Sequence, residues 1–75
     1  MLPFDNSPWP SGGEIDLMEY ISSNPDSVLM TIHSQANNHM NGTQLSSGFV
    51  PLSNIEEEFN IFGLLWEEKR LVFYV

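Results

Sequence analysis

No cysteine occurs in the 75 residues, so no disulfide can form and no Cys/His cluster offers a structural zinc site. Basic residues are almost as scarce: Lys69 and Arg70 stand against ten acids, for a formal net charge of −8. Such a chain has no basic patch with which to neutralise phosphates, which argues against nucleic acid. An anionic membrane surface would repel it for the same reason. No stretch is long and apolar enough to span a bilayer, and Met1 to Asp5 lacks the positive and apolar regions of a signal peptide. Internal repeats are absent, and nothing marks a second domain. What is present is a hydrophobic fraction of 41%, that of a folding sequence rather than a disordered one. A chain so short and so apolar, with no staple, reads as strands meant to pack against something more.

Residues 1 to 13 read as an irregular loop, because Pro3, Pro8 and Pro10 deny ladder hydrogen bonds and Gly12-Gly13 supplies a turn. Glu14 to Ile21 alternates as a strand, with Ile15 and Leu17 opposing Glu14 and Asp16. A turn at Ser22 to Asp26 leads to a second strand, Val28 to Ser34. There Val28, Met30 and Ile32 share one face, and Leu29, Thr31 and His33 the other. Gln35 to Gly48 is polar and predicts a long loop or an edge hairpin around Asn41-Gly42. Glu58 to Trp66 and Leu71 to Val75 predict two strands around a turn at Glu67 to Arg70. A helix over 55–71 competes, since Ile55, Phe59, Phe62 and Trp66 fall at helical spacing. The aromatic content and the absence of a helix stop before Leu71 favour strands, with both faces apolar and Trp66 in the core.

Three carboxylates lie close together in Glu14-Ile15-Asp16-Leu17-Met18-Glu19. On a regular strand Glu14 and Asp16 share a face and Glu19 points away. One extra residue at Leu17-Met18, a β-bulge, returns Glu19 to the face of the other two. Two carboxyls so placed fit the ~5–5.5 Å separation of retaining glycosidases. In that chemistry one carboxylate attacks ionised while the other holds a proton for the leaving oxygen. Asp16, between them, would share a hydrogen bond with Glu14 and raise the cost of further negative charge, keeping Glu19 protonated. Spacing alone leaves two other readings open. The acids are ordinary solvated groups on an amphipathic strand, or they ligate a hard cation, although no EF-hand spacing accompanies them.

The run from Trp9 to Tyr20, Trp-Pro-Ser-Gly-Gly-Glu-Ile-Asp-Leu-Met-Glu-Tyr, resembles the catalytic segment of glycoside hydrolase family 16, laminarinase branch. That family's pattern is Glu-x-Asp-x-x-Glu after a Gly, commonly preceded by Trp-Pro. The likeness continues at Thr31-Ile32-His33, resumes at Glu58 to Phe62, and runs through Trp66 to Phe73-Tyr74-Val75. Residues 35 to 55 match loosely. The resemblance implies an all-β, concanavalin A-like jelly-roll β-sandwich with a concave glycan cleft. It implies Glu14 as nucleophile, Asp16 as electrostatic helper and Glu19 as general acid/base. Trp9 would lie at the cleft floor or rim with an aromatic face toward a sugar ring, and His33 near the carboxylates as a second substrate-binding residue.

The expected activity is retaining endo-hydrolysis of β-1,3-glucan by a secreted enzyme, monomeric when complete, with a polysaccharide as its partner. No cofactor is implied, and a structural calcium in the complete domain stays open. The bulged spacing is that of laminarinases, agarases and carrageenases; the shorter form belongs to lichenases and xyloglucan enzymes. The family usually has His where Asn60 stands and an acid where Leu65 stands. Its domain is about three times this length, so residues 1–75 are expected to be a fragment of one catalytic domain, Val75 ending it in mid-strand. The alternatives are a non-catalytic glycan-binding or inactive fragment of the same fold, or a related galactan hydrolase. Among the remaining residues, His39 reads as an exposed loop residue and Met18 and Met30 as packing. Asn41-Gly42-Thr43 fits a glycosylation sequon, and Glu56 to Glu58 a solvated acidic turn.

Overall fold

The computed structural model describes residues 1–75 and contains strands but no helix. The strands are β1 (Glu14–Tyr20), β2 (Ser27–His33), β3 (Leu45–Ser46), β4 (Val50–Pro51), β5 (Gly63–Glu67) and β6 (Arg70–Tyr74). β2 is the centre of the larger sheet: β1 lies antiparallel on one side, β3 and β4 on the other. β5 and β6 form a separate two-stranded antiparallel sheet.

Burial follows from that central place. Val28 (0% exposed) and Met30 (5%) are the buried apolar side chains, and both sit on the β2 face that the period of two assigns to the core. Ile32 continues that face and pairs with Ile15 across the ladder. β3 and β4 act as one interrupted strand along the far side of β2. Ile32 pairs with Leu45 and Val28 with Val50, while between them Ser47 takes over the ladder, its N–H on the Met30 carbonyl.

The expected loop over Gln35 to Gly48 therefore contains a strand. Asn41-Gly42 does form a turn, but within the connection that leads to β3 rather than at the tip of a tight hairpin. The expected strand from Glu58 to Trp66 begins only at Gly63, and Phe59 and Ile61 stand exposed before it. The helix over 55–71 does not form. Glu57 and Glu58 donate their N–H groups to the Asn54 carbonyl, and this single turn is not continued. Leu64, Leu65 and Trp66 instead pair with Phe73, Val72 and Leu71, where cross-strand apolar contacts reward an extended chain. The turn is tighter than expected: Glu68 and Lys69 form it, and Arg70 joins β6, its guanidinium on the Glu67 carboxylate. Gly63 opposes Tyr74, whose ring occupies the space a Cβ at 63 would need. Glycine there lets the tyrosine ring lie across the strand.

Trp66 is not core. It is 66% exposed. Its ring instead edges a cavity of about 390 Å³, with Met1, Leu2, Ile15 and Ile32 among the walls. Ile15 and Ile32 belong to the apolar face, while Glu14 and His33 of the carboxylate face also line the cavity.

Candidate active site

The β1–β2 register decides which side chains meet. Glu14 pairs with His33 and Asp16 with Thr31; then Glu19 pairs with Leu29, three steps along β1 against two along β2. Leu17 and Met18 therefore oppose Met30 together, and the strand bulges there. Paired residues share a face, so Glu14, Asp16 and Glu19 all point to the side of His33, Thr31 and Leu29. A strand of the same composition without the bulge would send Glu19 to the face of Val28 and Met30.

Each carboxylate has its own neighbour. Glu14 Oε2 accepts a hydrogen bond of 2.9 Å from the Trp9 indole Nε1–H. Asp16 Oδ2 lies 3.4 Å from His33 Nε2. Glu19 Oε2 accepts a 2.8 Å bond from the Thr31 hydroxyl. The expected bond between Asp16 and Glu14 is replaced by these contacts, because the indole reaches Glu14 first and Asp16 turns to the imidazole. Trp9 owes its place to the loop before β1. Gly13 turns that loop into the strand at φ +80°, a conformation open to glycine, while its N–H bonds the Pro10 carbonyl.

The electrostatics centre on Asp16. Burial, and then the charges of Glu14 and Glu19, push its pKa above the ordinary carboxylate value, while His33 and the N-terminal amine pull the other way. His33 is buried, and its Nδ1 has no hydrogen-bond partner. Donor atoms of Glu14, Asp16 and His33 lie within 4.8 Å of one another and could hold a metal ion. An imidazole in the set suits a transition metal better than calcium, which prefers oxygen ligands.

Two residues join the site that the sequence reading did not place there. Thr31 lies two positions before His33 on the same strand face, so the period of two was a sufficient signal for it. His39, read as merely exposed, stacks on Trp9 with ring centroids 4.7 Å apart and planes at 29°. It also meets His33 edge-on at 5.6 Å, and Trp9 lies tilted against His33 at 5.7 Å. The indole face expected to be open to a sugar is therefore covered on one side. His39 belongs to an irregular connection, and no periodicity in its sequence could have brought it here.

Known proteins resemble the chain in sequence and in fold. Residues 2–75 match the profile of Glycosyl hydrolases family 16. The chain is 34% identical over 79 residues to a beta-glucanase of Rhodothermus marinus, covering 100% of this chain and 27% of that protein. A keratan-sulfate endo-1,4-beta-galactosidase of Sphingobacterium multivorum is 34% identical over 68 residues, 89% of this chain and 15% of its own. The X-ray structure of the laminarinase from Rhodothermus marinus superimposes with a TM-score of 0.83 at 31% identity, covering 95% of this chain and 28% of that one. The chain thus spans about a quarter or less of the length of these relatives, and its all-β fold is part of a jelly-roll β-sandwich.

Proposed function

Since the chain belongs to glycosyl hydrolases family 16, we propose that it carries the catalytic strand of a retaining endo-hydrolase of β-1,3-glucan. The observation that carries this reading is the bulge between Asp16 and Glu19, which gathers three carboxylates on one sheet face. Glu14 attacks the anomeric carbon as Glu19 delivers its proton to the departing glycosidic oxygen. Glu19 then takes a proton from water, which hydrolyses the glycosyl ester and frees Glu14 with the configuration retained.

Asp16 tunes this cycle. Glu14's charge is one of the causes that raise its pKa, so Asp16 ionises more easily once that charge is consumed in the bond to sugar. Trp9 and His33 border the reacting carboxylates and line the path of the glycan. The reaction needs no metal, and a polymer of this size is met outside the cell, which makes the enzyme a secreted one. The beta-glucanase and laminarinase relatives support glucan as the substrate. The galactosidase relative favours a second reading, a galactan hydrolase with the same carboxylates.

The test is turnover of laminarin-type glucan and of agarose-type galactan by the full-length protein, before and after Glu14→Gln. Loss of all turnover with a retained fold is expected. Release of reducing ends by the variant at the unsubstituted rate, or a product of inverted configuration, would sink the assignment. Cleavage of galactan alone would replace the substrate while leaving the mechanism.

A further inference from the structure

The Trp9 indole is held by little of its own. It stands in an irregular loop rather than a strand, and its N–H bond to Glu14 Oε2 fixes one edge of the ring without fixing its tilt. The His39 ring, stacked at 4.7 Å, supplies a flat wall on one side. Whether that wall is accidental can be judged from the residue before it. Asn38 is 2% exposed, although it lies in a polar connection. Its side-chain amide donates to the carbonyls of Ser34 (2.9 Å) and Gln35 (3.2 Å). Its side-chain oxygen accepts from the N–H groups of Met40 (3.0 Å) and Asn41 (3.3 Å). Its own carbonyl accepts from Asn41 at 3.2 Å and Thr43 at 3.1 Å. A side chain so satisfied on both sides holds the connection in one shape. That shape presents His39 to the indole.

We propose that His39 is a positioning residue: stacked on Trp9, it keeps the indole N–H on Oε2 of Glu14 and so leaves Oε1 as the oxygen that attacks. The role in attack rests on the hydrolase reading above; the coupling from His39 through Trp9 to Glu14 does not. The imidazole acts here as a flat ring, so any planar aromatic side chain at 39 serves. Without a ring, the indole tilts, its N–H leaves the carboxylate, and both oxygens of Glu14 rotate away from the reacting geometry. A direct sugar contact by His39 is the competing role, and it has a different kinetic signature.

The experiment compares the full-length protein with His39→Ala and His39→Phe, reading kcat and KM on laminarin-type glucan and the Trp9 indole N–H resonance, assigned with Trp9→Phe. For His39→Ala, kcat is expected to fall on the order of tenfold with KM little changed, as for a slightly misplaced reacting group. The indole N–H should move toward the shift and faster exchange of a solvent-exposed indole, and His39→Phe should restore both. Thermal melting should be unaltered in either variant, since residue 39 is exposed. A raised KM with kcat retained would assign His39 to the sugar and overturn the proposal, as would no change in kcat or in the resonance. If the unsubstituted protein cleaves no glucan, the hydrolase reading falls. The resonance then decides the coupling alone, a changed indole signal in His39→Ala supporting it and an unchanged one overturning it.

Discussion

Deleting residues from the bulge tests the geometry of the site more severely than replacing any carboxylate. Leu17 and Met18 together oppose Met30, between the Asp16–Thr31 and Glu19–Leu29 pairs. Removing Met18 alone leaves Leu17 opposite Met30 and Glu19 opposite Leu29, so all three carboxylates keep their face. The straightened ladder regains one hydrogen bond, about 0.5–1.5 kcal/mol, so the fold should hold. A shift of Glu19 by an ångström along the straightened strand lowers turnover by up to about 10²-fold. Removing both Leu17 and Met18 is different in kind. Glu19 then falls opposite Met30, on the apolar face that carries Val28 (0% exposed) and Met30 (5%). It also loses the Thr31 hydroxyl. The β1 positions on that face are only partly covered, Leu17 half-buried and Met18 39% exposed, so an unpaired carboxylate there costs about 1–3 kcal/mol, against the ~5–15 kcal/mol that holds a domain together. Slipping the register by one residue to rescue Glu19 would bury Glu14 and Asp16 instead. The assay is release of reducing ends from laminarin-type glucan, with a thermal melt, on full-length protein carrying either deletion. The single deletion should be folded and slow, the double deletion inactive with a lowered Tm. Turnover by the double deletion at a rate equal to or above that of the single one would refute the argument that the bulge aims Glu19.

Three further outcomes follow from individual contacts. Asp16→Asn should stabilise the protein at neutral pH and not at pH 3. The folded-state pKa of Asp16 is raised above its ordinary 3.8, so its favourable contribution is present below that value and is lost as pH rises through the folded-state pKa. Denaturant melts at the two pH values decide, and a variant less stable at pH 7 would reverse the sign. Thr31→Val removes a hydroxyl donor 2.8 Å from a Glu19 carboxyl oxygen. Glu19 is exposed enough for water to replace part of that bond, so the cost should be about 0.5–1 kcal/mol by urea melt. An unchanged midpoint would mean that solvent replaces the bond in full. Asn38→Ala deletes four side-chain hydrogen bonds of a buried residue and should cost about 2–4 kcal/mol. Limited proteolysis should then cut within residues 34–43, and resistance equal to that of the unsubstituted chain would show that Asn38 does not pin the connection.

The hairpin and the outer connection mark where local pattern stops being informative. In Glu58 to Trp66 the apolar residues satisfied helix and strand spacing alike, and neither spacing says where pairing begins. Pairing begins at Gly63, because Tyr74 needs the space above it, and that requirement belongs to β6 rather than to the residues before Gly63. The apolar neighbours of Trp66 predict a core residue, yet exposure depends on how much of the facing wall closes over it, and the ring stays 66% exposed at the edge of the cavity beside Ile15 and Ile32.

What the chain's own sequence determined is whatever depends on the period of two. That covers the apolar face of Val28, Met30 and Ile32, the opposite face of Thr31 and His33, and the parity that requires an extra residue if Glu19 is to join Glu14 and Asp16. These follow from strand geometry alone, since side chains alternate whatever the strand packs against. Tertiary structure alone decided the partners across gaps. Trp9 was given to Glu14 and His39 to Trp9 by loops whose paths depend on hydrogen bonds such as those of Asn38. Irregular backbone carries no period, so the place of such a ring is set by the sum of distant contacts and becomes legible only once the chain is folded.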